Sequence, residues 1–278
     1  MKELFDKVSA NCSKLTTHSY STSFSLGIYF LDRKIHNAIY SIYGFVRLAD
    51  EIVDSFHDYD KADLLSDFRA ETFRSIDAGI SLNPILNSFQ QIVNRYKIEH
   101  ELVEIFLDSM AMDLAQTSHD RGSYEDYILG SAEVVGLMCL RVFCDGDDRL
   151  YQSLRKPAMS LGSAFQKVNF LRDLHLDYYD LQRSYFPDVD FANFTEHKKA
   201  EIEKEIREDF RAAMEGIRRL PRCARFGVYV AYVYYRSLLK KIENKSIETL
   251  LKQRLRVPNH QKFGLLIHSY LRYNFGIL

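Results

Sequence analysis

The residues from Gln166 to Asp177 constrain the fold of this chain more than any other stretch of its sequence. Nothing in the stretch breaks a helix, and at about 100° per residue its polar side chains fall on one narrow stripe. The rest of the helix surface is apolar nearly all round, which is typical of a buried helix. A polar stripe on a buried helix is unfavourable unless its groups are paired or bind an ion. The stripe consists of Gln166, Asn169, Asp173 and Asp177, and Asp180 continues it. Because its carboxylates repel one another, the stripe predicts a bound cation.

A second stripe of the same kind lies earlier in the chain and consists of Tyr40, Tyr43, Arg47, Asp50 and Asp54. Hard dications such as Mg²⁺ take one or two carboxylates together with phosphate oxygens and water. Two Asp-x-x-x-Asp helices facing each other across a cavity would therefore hold a diphosphate through bridging magnesium. Arg47 and Arg172 would donate charge-assisted hydrogen bonds to the same phosphates. The alternative, that each aspartate pair is only a solvated helix edge, is disfavoured by the arginines and the apolar flanks.

In this order and spacing, the two stripes resemble the aspartate-rich motifs of the squalene/phytoene synthases. Arg47 followed by Asp50-Glu51-Ile52-Val53-Asp54 resembles the first motif. Gln166-x-x-Asn169-x-x-Arg172-Asp173-x-x-x-Asp177 resembles the second. The resemblance covers roughly residues 12–265 and extends to Ser21-Thr22-Ser23-Phe24, Met112-Asp113-Leu114, Val135-Gly136-Leu137-Met138 and Arg183-Ser184-Tyr185-Phe186-Pro187.

The resemblance implies a Mg²⁺-dependent prenyltransferase that joins two identical prenyl diphosphates head to head through a cyclopropyl diphosphate intermediate. By matching positions, it implies metal ligands at Asp50, Asp54, Asn169, Asp173 and Asp177, with Arg47 and Tyr43 as further catalytic residues. The implied substrate-binding residues are Ser21, Ser23, Phe24, Tyr43, Arg47, Gln166, Asn169, Arg172, Tyr235 and Arg254. The last two match through a small insertion, so a structural role is an open alternative for them. The chain departs from many relatives at Tyr20 and Thr22, where they have His and Lys.

The product is expected to be phytoene, made from geranylgeranyl diphosphate in the first step of carotenoid biosynthesis. Gly27 and Ile28 leave room for a deep cavity, and Leu255-Arg256-Val257-Pro258 resembles bacterial phytoene synthases. A squalene or dehydrosqualene synthase acting on farnesyl diphosphate is the alternative, and a non-catalytic family member acting as an assembly factor is a more distant one. Mg²⁺ is the expected cofactor, with Mn²⁺ as a substitute. NADPH is not expected, because the formation of phytoene ends in loss of a proton.

Composition narrows the classes of partner. With 37 basic and 38 acidic residues the formal net charge is −1, which argues against binding of nucleic acid. Cys12, Cys139, Cys144 and Cys223 form no Cys-x-x-Cys pair and are expected to be small buried side chains in a reducing compartment. No apolar run reaches the roughly 18 residues of a membrane span. These features predict a cytoplasmic protein and leave open both a peripheral contact with the inner membrane face and the oligomeric state.

Helical periodicity extends along the whole chain, without strand alternation or repeats. The fold class expected is all-α, with one domain over residues 1–278 and a cavity between central helices, and the resemblance makes this an isoprenoid-synthase-type bundle. The first helix should have Leu4, Val8, Cys12 and Leu15 on one side, and Ser123-x-x-Asp126 should cap the helix over 124–144. The other helices are expected near 20–30, 33–56, 60–76, 83–96, 99–116, 148–181, 196–220, 221–243 and 247–254, with a last one from Pro258.

Overall fold

The two stripes lie on α3 and α9, the helices around which the structure is built. The computed structural model describes residues 1–115, 118–179, 184–187 and 194–275, and at residues 23, 177–179, 259–260 and 274 the backbone alone. The helices are α1 (Lys2–Tyr20), α2 (Thr22–Tyr29), α3 (Arg33–Ser55), α4 (Lys61–Ala78), α5 (Pro84–Tyr96), α6 (His100–Ala115), α7 (Arg121–Ile128), α8 (Val134–Cys144), α9 (Asp148–Tyr179), α10 (Glu196–Arg219), α11 (Arg222–Glu243), α12 (Ile247–Lys252) and α13 (Asn259–Asn274). A π-helical segment, Leu129–Glu133, joins α7 to α8. These ranges contain no β-strand, so the all-α prediction is confirmed.

Side-chain caps begin several helices where the sequence predicts them. Asn83 accepts from the amide of Ile85 at 3.0 Å ahead of Pro84, and Asp60 accepts from the amide of Ala62 at 3.1 Å. The predicted cap at Ser123 is wrong. Asp120 is the N-cap and accepts from the amide of Ser123 at 2.8 Å, so the helix begins one turn earlier than expected. Because the carboxylate of Asp120 already accepts a hydrogen bond from the amide of Ser123, Ser123 lies inside the first turn and is not the cap.

The first helix does not bury the side that carries Leu4, Val8 and Leu15. Leu4, Val8 and Leu15 are exposed, whereas Ser9, Ser13 and Thr17 are fully buried. The buried serines suit a close approach to α3 and α5. Ser13 Oγ lies 2.6 Å from Ser88 Oγ, and a Cβ atom at Gly44 would lie 3.0 Å from the Cβ of Ser13. Small side chains let the helices approach more closely than leucines would. Their hydroxyl groups can be buried there because they bond to backbone carbonyls and to each other.

Several helices that surround the centre of the molecule meet at glycines. A Cβ atom at Gly227 of α11 would lie 2.8 Å from the carbonyl oxygen of Gly27 in α2. At Gly162 of α9 it would lie 2.6 Å from the carbonyl oxygen of Ala132, and at Gly216 of α10 it would lie 2.5 Å from Pro157 Cβ. These pairs therefore pack close to backbone-to-backbone contact.

The continuous helix from Arg121 to Cys144 is long and apolar enough, by length and composition alone, to cross a membrane. Half of its most apolar window is buried inside the protein. Val135, Cys139 and Phe143 from this helix line the central cavity, while Val134, Leu137 and Met138 are fully buried. Packing in the core and against an apolar cavity accounts for the apolar composition of this helix, so the composition does not require contact with lipid.

Candidate active site

A cavity of about 750 Å³ lies at the centre of the bundle, walled mainly by α2, α3, α8, α9, α10 and α11. One end is polar and is lined by Arg47, Asp50, Asp54, Asp113, Gln166, Asn169, Arg172, Asp173 and Arg254. Apolar side chains line the remainder, including Phe143, Leu154 and Leu220. Since α9 carries both Leu154 and Asp173, the rise per residue of an α-helix puts about 28 Å between the two ends of the cavity.

The structure brings most of the predicted site residues to this one cavity. Those that line it are Ser21, Phe24, Tyr43, Arg47, Asp50, Asp54, Gln166, Asn169, Arg172, Asp173, Tyr235 and Arg254. The side chains of Ser23 and Asp177, together with the whole of Asp180 and Arg183, lie outside the described residues. Tyr40 does not line the cavity: it is buried against α1, where its hydroxyl lies 3.3 Å from His18 Nε2.

Arg47 connects two of the three acids of the first motif, Asp50 and Glu51. It donates from Nη1 to Asp50 and from Nη2 to Glu51, and its guanidinium lies 4.2 Å from the centre of the Tyr20 ring. The Nε–H group of Arg47 is buried and has no acceptor among the described residues. Arg47 is therefore held firmly at the polar end of the cavity.

The carboxylate of Asp50 sits in an unfavourable environment for its charge. Burial raises its pKa from 3.8 to about 7, the nearby charges of Asp54 and Asp113 add to the rise, and Arg47 opposes it. The side chain is still 37% accessible, because it faces the cavity. A cluster of partly buried carboxylates that repel one another attracts a cation.

Asp173, in the second motif, is held by two arginines. Arg172 Nε donates to Oδ1 at 2.9 Å. Arg254 Nε lies 2.7 Å from the same atom, and Arg254 Nη2 donates to Oδ2 at 3.3 Å. One turn earlier, the hydroxyl of Tyr235 donates to Asn169 Oδ1 at 3.3 Å. The two positions that match the family least directly, Tyr235 and Arg254, therefore both contact the second motif.

Asp113 is a cavity residue that the sequence analysis left without a role. It is 7% exposed and accepts from the hydroxyl of Tyr127 at 2.6 Å and from that of Tyr185 at 3.2 Å. Burial and the charge of Asp113 raise the pKa of Tyr127 well above its ordinary value, so its hydroxyl stays protonated as the donor. The signal in the sequence was a single acid between Met112 and Leu114.

Aromatic rings line the cavity next to its polar end. The rings of Phe24 and Tyr43 are 5.0 Å apart, and those of Phe165 and Tyr235 are stacked at 3.9 Å. The four cysteines form no disulfide. Among them Cys139 lines the cavity, and burial raises the pKa of its thiol to about 12, which keeps it neutral.

The oxygen donors at the polar end fit a hard dication that is bound together with a ligand. Among the described residues, no group of three His, Cys, Asp or Glu side chains could hold a metal by itself. Mg²⁺ is commonly bound by one or two carboxylates while phosphate oxygens and water complete its shell. Asp50 and Asp54 on α3 and Asp173 on α9 supply carboxylates of this kind from two walls of one cavity.

The comparisons with known proteins decide the family. The sequence model of the squalene/phytoene synthases matches residues 17–261. This chain belongs to the squalene/phytoene synthase family. It is therefore a prenyltransferase, of the class that condenses prenyl diphosphates head to head, and the family in general binds them with a divalent metal.

Three similar relatives are all phytoene synthases. That of Arthrospira platensis is 26% identical over 94% of this chain and 92% of its own length. The 15-cis-phytoene synthase of Synechococcus elongatus is 25% identical over the same shares of the two chains. The chloroplastic phytoene synthase 3 of Zea mays is 25% identical over 91% of this chain but only 63% of its own length.

Solved structures show the same fold at lower identity. A dehydrosqualene synthase in complex with a ligand superposes with a TM-score of 0.82 at 19% identity, over 98% of each chain. The squalene synthase of Alicyclobacillus acidocaldarius gives a TM-score of 0.74 at 20% identity, over 85% of this chain and 94% of its own. The isoprenoid-synthase-type bundle predicted from the sequence is confirmed.

Proposed function

We propose that this protein joins two molecules of geranylgeranyl diphosphate head to head to form phytoene, through a cyclopropyl diphosphate intermediate, as the first step of carotenoid biosynthesis. The observation that carries the proposal is the shape of the cavity. The carboxylates of α3 and α9 meet the arginines at one end, and an apolar space continues from there for about 28 Å along α9. A diphosphate fits the first part, and long prenyl chains fit the second.

The polar end would hold the diphosphate groups. Asp50, Asp54, Asn169 and Asp173, together with Asp177, would hold Mg²⁺, and Mn²⁺ would replace it. When bound, the metal neutralises charge on the departing diphosphate. Arg172 and Arg254 lie within hydrogen-bond distance of Asp173, so their guanidinium groups are close enough to contact a phosphate held at that carboxylate.

The apolar part of the cavity would protect the allylic cation left behind. Apolar walls would keep water away from the cation, which water would otherwise capture. The faces of Phe24, Tyr43, Phe165 and Tyr235 are beside the polar end, where cation–π attraction stabilises a positive charge within about 6 Å of a ring centre.

Two observations favour a twenty-carbon substrate. Gly27 and Ile28 line the cavity without closing it, and it continues past them to Leu154 and Leu220. The full-length relatives are named as phytoene synthases. The fold shared with dehydrosqualene and squalene synthases leaves a fifteen-carbon substrate as the second candidate. We expect no requirement for NADPH, since the loss of a proton completes phytoene, and we propose a cytoplasmic location.

Product analysis tests the proposal. Purified protein is incubated with Mg²⁺ and either geranylgeranyl or farnesyl diphosphate, with and without NADPH, and the release of diphosphate and the mass of the hydrocarbon are measured. We expect a C40 product at a rate that NADPH does not change. A product formed from farnesyl diphosphate alone, or reduced only when NADPH is present, would move the assignment to the squalene branch. No release of diphosphate with either substrate would contradict the proposed reaction.

A further inference from the structure

His175 lies two residues after Asp173 on α9, but it does not line the cavity. At about 100° per residue, side chains two positions apart point about 160° apart around a helix, so His175 faces away from the polar end. Its ring contacts α12 instead, with Nδ1 2.6 Å from the carbonyl oxygen of Leu251. Because a carbonyl oxygen only accepts hydrogen bonds, this contact requires the ring proton on Nδ1.

The carbonyl group that His175 holds is close in sequence to Arg254. Leu251 belongs to the last turn of α12, where carbonyl groups have no partner within the helix. The chain leaves the helix at once, since Gln253 is extended with φ −156° and ψ 141°. Arg254 comes next, three positions after Leu251, and a chain of that length spans at most about 10 Å. A displacement of the Leu251 carbonyl is therefore passed on to Arg254.

The guanidinium of Arg254 returns to the helix that carries His175. Its Nε lies 2.7 Å from Asp173 Oδ1, and its Nη2 donates to Oδ2 at 3.3 Å. The segment after α12 thus contacts α9 twice, once through a backbone carbonyl and once through an arginine side chain. Both contacts are made with residues two positions apart on one helix, so α9 is a common rigid support for them.

The chain on the other side of Arg254 is anchored as well. Leu255 and Val257 are buried, and Lys241 Nζ of α11 donates to the carbonyl oxygen of Arg256 at 2.6 Å. Of these two ties, the one from Lys241 ends a long flexible side chain, whereas the imidazole of His175 has only two rotatable bonds. The position of Arg254 relative to Asp173 therefore depends more closely on His175.

We propose that His175 is a positioning residue, whose hydrogen bond to Leu251 holds Arg254 beside Asp173 before a diphosphate binds. The inference rests on the proposed function, in which the polar end of the cavity binds diphosphate groups. A free arginine loses rotamer entropy when an anion immobilises it, and that loss weakens binding. A segment that already holds the arginine in place removes part of this cost, so His175 strengthens the binding of diphosphate without touching it.

A purely structural role for His175 predicts a different result. Satisfying a carbonyl at the end of α12 would stabilise the fold, and its loss would lower the melting temperature. The affinity of the folded protein for an anion would then stay the same, or it would change by the same factor whether or not Arg254 is present. Coupling between His175 and Arg254 in the binding of diphosphate separates the two roles.

Calorimetric titration with inorganic pyrophosphate and Mg²⁺ measures this coupling on the full chain without catalysis. His175→Phe removes the donor but keeps a ring, and His175→Ala removes both. We expect Arg254→Gln to raise the Kd about tenfold or more and each His175 variant to raise it about threefold or more. In the Arg254→Gln background, the His175 variants should change the Kd less than about twofold.

A conservative variant and a surface variant serve as controls. His175→Asn keeps a nitrogen donor at the δ position of the side chain and should bind pyrophosphate within about twofold of the wild type. His197→Ala, on α10, removes a histidine whose side chain is 86% exposed and should not change the Kd. Circular dichroism and melting temperature verify that every variant is folded.

The inference is overturned if both His175→Phe and His175→Ala bind pyrophosphate like the wild type. It is also overturned if they raise the Kd by the same factor with and without Arg254, or if His175→Asn binds as weakly as they do. A wild type that binds no pyrophosphate overturns it too, since Arg254 would have no anion to meet. A wild type that shows the expected coupling but makes no C40 hydrocarbon contradicts only the proposed function.

Discussion

Arg254 forms an ion pair with Asp173, with its Nε 2.7 Å from Oδ1, and so joins the segment after α12 to the C-terminal part of α9. The same carboxylate accepts from Arg172, so two guanidinium groups converge at the second aspartate-rich motif. Arg254 is more exposed than the acid that it contacts. An exposed ion pair of this kind adds little to stability, about 0–1 kcal/mol, which points to a role in binding an anionic ligand instead.

Arg254→Gln should therefore raise the KM for the prenyl diphosphate about tenfold or more, since a charge-assisted hydrogen bond is worth about 1.5–3 kcal/mol. The melting temperature should scarcely change. Arg256→Gln, at an exposed arginine two residues later, is the matched control and should leave KM as it is. A large fall in melting temperature with unchanged KM would instead make Arg254 a structural residue.

The raised pKa of Asp50 predicts how stability depends on pH in the absence of metal. Its pKa is about 7 in the folded protein and 3.8 ordinarily, so between these values the folded state binds more protons than the unfolded state. Stability then falls as the pH rises from about 4 to about 7. Asp50→Asn removes this contribution, and in EDTA at pH 8 it should melt about 1–3 °C above the wild type, a small gain because the cavity partly solvates the carboxylate.

Melting curves at pH 5 and pH 8 provide the test. The gain from Asp50→Asn should shrink towards pH 5, where the wild-type carboxyl group is already protonated. Asp58→Asn, at an exposed position after the same helix, should show no such dependence. A variant that melts several degrees lower at both pH values would show that Asp50 stabilises the fold through its charge.

Tyr127→Phe removes the hydroxyl that donates to Asp113 at 2.6 Å, the shorter of its hydrogen bonds from Tyr127 and Tyr185. The buried carboxylate would then lose its 2.6 Å hydrogen bond and keep the longer one, of 3.2 Å, from Tyr185. Leaving a buried acceptor partly unsatisfied should lower the free energy of unfolding by about 1–3 kcal/mol, or roughly 2–4 °C in melting temperature for each kcal/mol. Tyr124→Phe, which alters an equally buried tyrosine that does not contact Asp113, is the control. Equal losses in the two variants would mean that the contact with Asp113 adds nothing.

Leu154→Phe tests whether the apolar end of the cavity measures the length of the substrate. Leu154 lies at the end of the cavity opposite Asp173, and a phenyl ring there would shorten the space for a prenyl chain. The ratio of kcat/KM for geranylgeranyl over farnesyl diphosphate should fall at least tenfold. Leu154→Met keeps the side-chain volume and should preserve the ratio. If both variants lose activity on both substrates equally, Leu154 supports the fold and does not set chain length.

Magnesium and diphosphate should stabilise the protein together far more than separately. The carboxylates hold the metal weakly until phosphate oxygens complete its shell. A non-hydrolysable prenyl diphosphate with Mg²⁺ should therefore raise the melting temperature by more than the sum of the two separate shifts. In Asp173→Asn the excess should disappear. Full stabilisation by the diphosphate in EDTA would indicate that the arginines alone bind it.

Much of the site follows from the sequence because helical periodicity fixes which side chains share a face. The stripes on α3 and α9 are each contained within one helix, so their alignment needs no knowledge of the tertiary fold. The contact of Arg254 with Asp173 is different, since it joins residues 81 positions apart through a loop whose path no local pattern gives. The same holds for the pair of Asp113 and Tyr127, which requires α6 and α7 to face each other.

The first helix shows where a hydrophobic pattern misleads. Leu4, Val8 and Leu15 form the more apolar side of α1, yet Ser9 and Ser13 are buried. The buried side is decided by how closely α1 can approach Gly44 and Ser88, and small side chains prevail there over the larger gain from burying leucines. That preference depends on the partner helices, so α1 alone does not reveal it.

The glycine contacts around the cavity have a consequence for how this enzyme can diverge. A Cβ atom at Gly162, Gly216 or Gly227 would lie less than 3 Å from a neighbouring atom. At these positions the cavity wall has no side chain that a substitution could make smaller. Mutation can make the cavity smaller from many positions, but it can enlarge it only where bulk remains, as at Phe143 or Leu154. Many different single substitutions could therefore shorten the product, whereas few could lengthen it.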